Sequence, residues 1–129
     1  MAKGLMDFAA QARLTVKETT AAETEKSIAA GGVLLLDVRE PGEVREGHLP
    51  GAINVPRGLL EAKADFNFPH REAALQDREQ AVIVYCASGV RSLLAAATMQ
   101  EMGFSNVQSM AGGFAGWKSE GREIAGESW

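Results

Sequence analysis

The chain has 129 residues, 46% apolar and 23% charged, which suits one domain with a hydrophobic core and excludes a disordered or fibrous protein. Its formal charge of −4, with 13 Lys and Arg not gathered into any block, argues against nucleic acid as a partner. The single cysteine, Cys86, leaves no internal disulfide, and the apolar runs "VLLL", "AVIVY" and "LLAAATM" are far short of a membrane span, so no membrane partner and a cytoplasmic location are expected.

The opening "MAKGLMDFAAQARL" carries Lys3, Asp7 and Gln11 and no sustained apolar stretch, which makes a poor signal peptide. Residues 3–13 are instead expected as a short amphipathic helix, with Leu5, Met6, Ala9 and Ala12 on one face. "TAAE" at Thr20–Glu23 has the form of a capping box, and its helix should run to about Ala30 with Gly31 as the left-handed cap. "VLLLDV" (33–38) reads as a strand buried on both faces. The Pro- and Gly-rich stretch 39–51 reads as turns, and "AINVP" (52–56) as a second strand. Residues 57–79, polar with Leu59, Leu60, Phe66, Phe68 and Leu75 interspersed, suggest one or two helices broken near Pro69. "AVIVYC" (81–86) is a third strand, Ser92–Met102 a helix, "NVQSM" (106–110) a fourth strand and "GGFAGWKSEG" (112–121) a last short helix. Buried strands alternating with helices call for crossover connections and a parallel sheet, an α/β fold. In such sheets the reactive site lies where strand carboxyl ends meet helix amino ends.

Cys86 sits at one of those junctions. A lone cysteine is by default a small buried hydrophobe. Here the small residues Ala87, Ser88 and Gly89 let backbone N–H groups turn inward at the start of a helix. Such a nest stabilises an anion and would keep the Cys86 sulfur as thiolate. Val90 and Arg91 close the loop, and Arg91 opposes the helix dipole, so a role toward an anionic substrate gives it a reason to be there. Ser88 and Ser92 fit ordinary turn and N-cap chemistry as well as a part in the cradle.

The loop "CASGVRS" (86–92) resembles the active-site loop of rhodanese-domain sulfurtransferases. "LLLDVREPGEVREGHLPGAINVP" (34–56) is similar to that family's aspartate-to-proline signature, and "GGFAGWKSEG" (112–121) to its closing segment. The resemblance covers roughly residues 14–121. It implies a three-layer α/β/α sandwich around a five-stranded, mainly parallel sheet, with residues 1–13 as an N-terminal helical extension and 14–129 as the rhodanese-like domain. It also implies a persulfide formed on Cys86, with residues 87–91 around the substrate. Ala87 stands where many thiosulfate-using relatives carry Arg or another long polar residue, so Arg91 is the loop's only cation.

Asp37 and Arg39 flank Val38 and are expected on one side of the strand end as a supporting ion pair. Glu43 and Glu46, in a Pro/Gly turn, are expected as solvated charges rather than an acid/base pair. His48 reads as a satisfied turn histidine, and His70 carries no signal. Two histidines and one cysteine offer no zinc spacing, and no cofactor is expected. Phe114 and Trp117 have core spacing. Three functions compete. The first is a sulfurtransferase taking sulfur from a small anionic donor to cyanide or a thiol, including a protein thiol. The second is a phosphatase or arsenate reductase, whose Cys–Arg loops are one residue longer. The third is a non-catalytic interaction module, which would have little use for the cysteine.

Overall fold

The computed structural model describes residues 2–126; Met1 and residues 127–129, the outer ends of the two expected segments, lie outside the described residues. Among the described residues, six α-helices and five strands follow one another: α1 (Leu5–Ala12), β1 (Lys17–Thr19), α2 (Ala21–Ala30), β2 (Val33–Asp37), α3 (Pro41–Val44), β3 (Ile53–Asn54), α4 (Leu60–Ala64), β4 (Ala81–Tyr85), α5 (Val90–Glu101), β5 (Val107–Met110) and α6 (Gly113–Ser119). The sheet order is β1-β5-β4-β2-β3, and all four pairings are parallel.

Period-two alternation in the central strands divides the core between two faces. Leu36, Val82, Val84 and Cys86 pack with α1, α4 and α5 on one side. Leu35, Ile83 and Tyr85 pack with α2 and α6 on the other, where Trp117 is buried. This is the expected three-layer sandwich. The central position of β4 carries Cys86 to the middle of the sheet's carboxyl edge.

Several local expectations hold for physical reasons. Thr20 caps α2, its hydroxyl accepting from the Glu23 N–H at 3.1 Å. Glu23 does not complete the expected reciprocal bond; its carboxylate instead lies 3.5 Å from Lys26. Of the face expected on α1, only Ala9 and Ala12 are buried, while Leu5 and Met6 are 58% and 57% exposed. The small alanines are what let α1 approach α5 closely. Residues 57–79 hold less helix than expected: a 3₁₀ turn, Arg57–Leu59, runs into α4, and a second, Ala73–Leu75, follows. Arg78 organises this stretch by donating to the carbonyls of Ala64, Leu75 and Met102.

Asp37 and Arg39 form the expected pair, with Nη2–Oδ2 at 2.8 Å and side chains only 1% and 4% exposed. Arg39 also donates to the Gly47 carbonyl at 2.7 Å, and its guanidinium lies 4.3 Å from the Phe114 ring centre. Burial works against the guanidinium's charge, but the Asp37 carboxylate holds its pKa above the ordinary value. The pair therefore ties the end of β2 to the 39–48 turn and to α6. Removing one partner leaves a buried, unbalanced charge. Asp37→Ala should lower stability by about 3–5 kcal/mol, read as a fall in the midpoint of urea unfolding. A loss under about 1 kcal/mol would mean the pair is solvated in solution.

Candidate active site

Strand β4 ends at Tyr85 and α5 begins at Val90, two residues earlier than the sequence suggests. The cause is Gly89, whose φ of 101° turns the chain directly into the helix. Ser92 is therefore not an N-cap. It lies in the first turn of α5, where backbone N–H groups have no partner within the helix. The cysteine sulfur supplies one: Cys86 Sγ accepts from the Gly89 N–H at 3.1 Å and the Ser92 N–H at 3.4 Å. The helix has no side-chain cap of the ordinary kind, and the sulfur takes that place.

The Ser92 hydroxyl lies 3.5 Å from the sulfur and 2.8 Å from the Ser109 hydroxyl on β5. Both serines are fully buried. Once the thiol is ionised, Ser109 can donate to Ser92 and Ser92 to the sulfur, so the pair solvates the anion inside the core. Cys86 itself is 1% exposed. That burial pushes its pKa up, but the Ser92 hydroxyl and the N–H groups of Ser92, Gly89 and Ser88 outweigh it. The net pKa is below the ordinary thiol value. The rate of alkylation by iodoacetamide should accordingly reach its midpoint below the unperturbed value of about 8.5. A midpoint at or above that value would show that the donors do not hold the thiolate.

The loop is braced from the opposite side by α6. Phe114 N–H donates to the Cys86 carbonyl at 2.8 Å, and Ala115 N–H to the Ala87 carbonyl at 3.0 Å. This contact requires Gly113, where a Cβ would stand 2.5 Å from the Cys86 oxygen. Around the rim, Ala87, Val90 and Arg91 are half-buried and Ser88 is exposed.

Arg91 is not left to solvent. Its Nη1 and Nη2 donate to the two carboxylate oxygens of Glu43, at 3.0 and 2.9 Å. Glu43 Oε2 also accepts the Glu40 N–H at 2.8 Å. The expected solvated Glu43 is thus corrected, because the 39–48 turn folds back over the cysteine loop. The Arg91 bonds hold the Glu43 carboxyl down to about 2, against the opposing effect of burial. Glu46 stays exposed. His48 is satisfied as expected, with Nδ1 at 2.8 Å from the Leu49 carbonyl oxygen. Asp37 and Arg39 border the loop through its neighbours: Arg39 lies over the rings of Phe114 and Tyr85, and the Phe114 N–H donates to the Cys86 carbonyl.

Three groups at the site escape a reading of the sequence. Ser109 and Glu43 lie 17 and 48 residues from their partners. The glycine pair Gly112–Gly113, both at positive φ, is the one signal that could have pointed to a close backbone approach after β5. Among the described residues no group of three or more His, Cys, Asp or Glu is placed to hold a metal, and no helix is long and apolar enough to cross a membrane.

The profile of the Rhodanese-like domain matches residues 20–120. The chain belongs to the rhodanese-like family. It is 34% identical over 93 residues to a sulfurtransferase of Allochromatium vinosum, covering 71% of this chain and 78% of that protein. It is 30% identical over 106 residues to the thiosulfate sulfurtransferase GlpE of Pseudoalteromonas translucida, covering 82% of this chain and 92% of the relative. Among solved structures, a Rhodopseudomonas palustris protein of unknown function, described as a possible tyrosine phosphatase, superposes with a TM-score of 0.88. It is 32% identical, and the match covers 96% of each chain. The human single-domain sulfurtransferase TSTD1 superposes with a TM-score of 0.72 at 25% identity, covering 81% of this chain and 97% of the human one. The fold shared with these rhodanese-like proteins is the parallel α/β sandwich described above, with Cys86 at its carboxyl edge.

Proposed function

We propose that this rhodanese-like protein is a sulfurtransferase working through a persulfide on Cys86. The observation that carries the reading is the sulfur seated as acceptor at the amino end of α5, held by the N–H groups of Gly89 and Ser92. These donors lower the pKa of the Cys86 thiol and so favour the thiolate, the nucleophilic form. It attacks the outer sulfur of thiosulfate or of an organic persulfide. The new S–S bond forms as the donor's bond to that sulfur breaks, and sulfite or a thiolate leaves with the electron pair. A thiol, including one on a protein, or cyanide then attacks the outer sulfur of the Cys86 persulfide, and the Cys86 thiolate is released. The two half-reactions share one site and give ping-pong kinetics.

Residues 87–91 form the rim that donor and acceptor must pass. Ser92 and Ser109 stabilise the charge on Cys86, and Asp37 with Arg39 holds the surrounding turn. With four residues between Cys86 and Arg91, the ring of N–H groups suits a sulfur atom better than a tetrahedral phosphate. The test is intact mass of the reduced, folded protein before and after thiosulfate, mercaptopyruvate or glutathione persulfide. One sulfur should be gained on the peptide containing Cys86, and cyanide should remove it. Failure to load from all three would overturn the reading in favour of an interaction module.

A further inference from the structure

Resting on that sulfurtransfer reading, the geometry points to Glu43 as a specificity-determining residue. By holding Arg91 in a two-pronged ion pair, it tunes the site toward donors whose transferable sulfur is uncharged, organic persulfides in their protonated form, and away from the thiosulfate dianion.

Arg91 is the one positive residue in the segment 86–92. A guanidinium recognises an anion through its planar fork of N–H donors. That fork is already engaged, with Nη1 and Nη2 each on a different oxygen of Glu43. Glu43 is fixed in turn from its own backbone, because Oε2 also accepts the Glu40 N–H. The carboxylate is therefore held from two sides and does not simply swing away for an incoming anion.

The charge balance follows. Arg91 contributes one positive charge to the rim, Glu43 cancels it, and Glu40 is close enough to act on Arg91 as well. Glu43 keeps its charge throughout the neutral range, since the Arg91 hydrogen bonds hold its carboxyl down to about 2. A thiosulfate dianion must then approach a thiolate past a loop whose one cation is already paired with a carboxylate. Repulsion at such short range lowers encounter and binding. A protonated persulfide, R–S–SH, presents an uncharged outer sulfur to the thiolate, so the reacting atom itself meets no such repulsion. The Cys86 thiolate attacks that sulfur, the new S–S bond forms as the old one breaks, and RS⁻ leaves with the electron pair. The proton stays on the transferred sulfur until water takes it.

The decisive variant is Glu43→Gln, which keeps the side-chain length and an oxygen for the Glu40 N–H but removes the charge. kcat/KM is measured for thiosulfate and for glutathione persulfide in wild type, Glu43→Gln and the double variant Glu43→Gln/Arg91→Ala. Wild type should favour the persulfide. Glu43→Gln should raise thiosulfate efficiency about tenfold relative to the persulfide, chiefly by lowering KM for thiosulfate. The double variant should lose that gain, because the freed Arg91 is what produces it. A second measurement needs no variant: added salt should improve thiosulfate loading of wild type relative to the persulfide, because it screens repulsion. A wild-type preference for thiosulfate, a salt effect of opposite sign, or an unchanged donor ratio in folded Glu43→Gln would overturn the role of Glu43 while leaving sulfur transfer intact. Loading from neither donor would instead sink the sulfurtransfer reading, and this inference with it.

Discussion

Cys86→Ser should fold like the wild type and transfer no sulfur, losing activity on the order of a thousandfold or more. The folding half of the expectation follows from the site's donors. A serine oxygen at this position can still accept from the Gly89 and Ser92 N–H groups that now meet the sulfur, so stability should change by no more than about 1 kcal/mol. The chemical half follows from the same contacts. Every group that touches the sulfur is a donor or, in Ser92, a hydroxyl, and none is a base that could take a proton from an alcohol. The site lowers the pKa of a thiol and has nothing with which to activate a serine. Donor-treated Cys86→Ser should therefore show no added sulfur by mass, with an unfolding curve that overlays the wild type. The wild type should also fail to hydrolyse p-nitrophenyl phosphate. Phosphatase turnover that disappears in Cys86→Ser would reverse the choice between the two anion-cradle chemistries.

The parts of this site legible in the sequence are those that local chain chemistry dictates. The run Ala81–Tyr85, the small residues after it and the helix beyond place Cys86 at a strand-to-helix junction without any tertiary information. Gly89 was recognisable as a turn residue. That it starts the helix itself, and so moves Ser92 from cap to first turn, depends on a φ of 101°, at a place where an added Cβ would stand 3.2 Å from the Gly112 nitrogen. β1 leaves no signal in the sequence because Lys17–Thr19 is three residues at the sheet edge, with two of them exposed. Its place comes from backbone pairing with β5, which leaves no hydrophobic pattern behind. Glu43 shows the limit most clearly. In a Pro/Gly turn a glutamate looks solvated, and only the return of that turn across the cysteine loop gives it Arg91 as partner. Asp37 and Arg39 were legible as a pair because strand geometry alone puts them on one side.

Gly113→Ala should be the most damaging single-methyl change in the α6 region. At φ 55° an L-residue is strained, and the added Cβ would stand 2.5 Å from the Cys86 oxygen and 2.6 Å from the Ala87 carbonyl carbon and oxygen. These are backbone atoms, which cannot swing aside as a flexible side chain would. Either α6 lifts or the cysteine loop shifts, and each breaks the bonds from Phe114 and Ala115 that brace it. Strain and lost contacts together should cost about 3 kcal/mol or more, a fall in Tm of about 10 °C. Gly31→Ala is the matching control: its φ of 80° with ψ 175° also disfavours an L-residue, but nothing lies within 4 Å of the added carbon, so only backbone strain of about 1–3 kcal/mol applies. The functional consequence separates bracing from mere stability. A displaced loop turns Cys86 away from the Gly89 and Ser92 N–H groups, so the alkylation midpoint of folded Gly113→Ala should climb toward about 8.5. Gly31→Ala should keep the wild-type midpoint. If Gly113→Ala melts and alkylates like the wild type, the contact between α6 and the cysteine loop does not hold the thiolate in place.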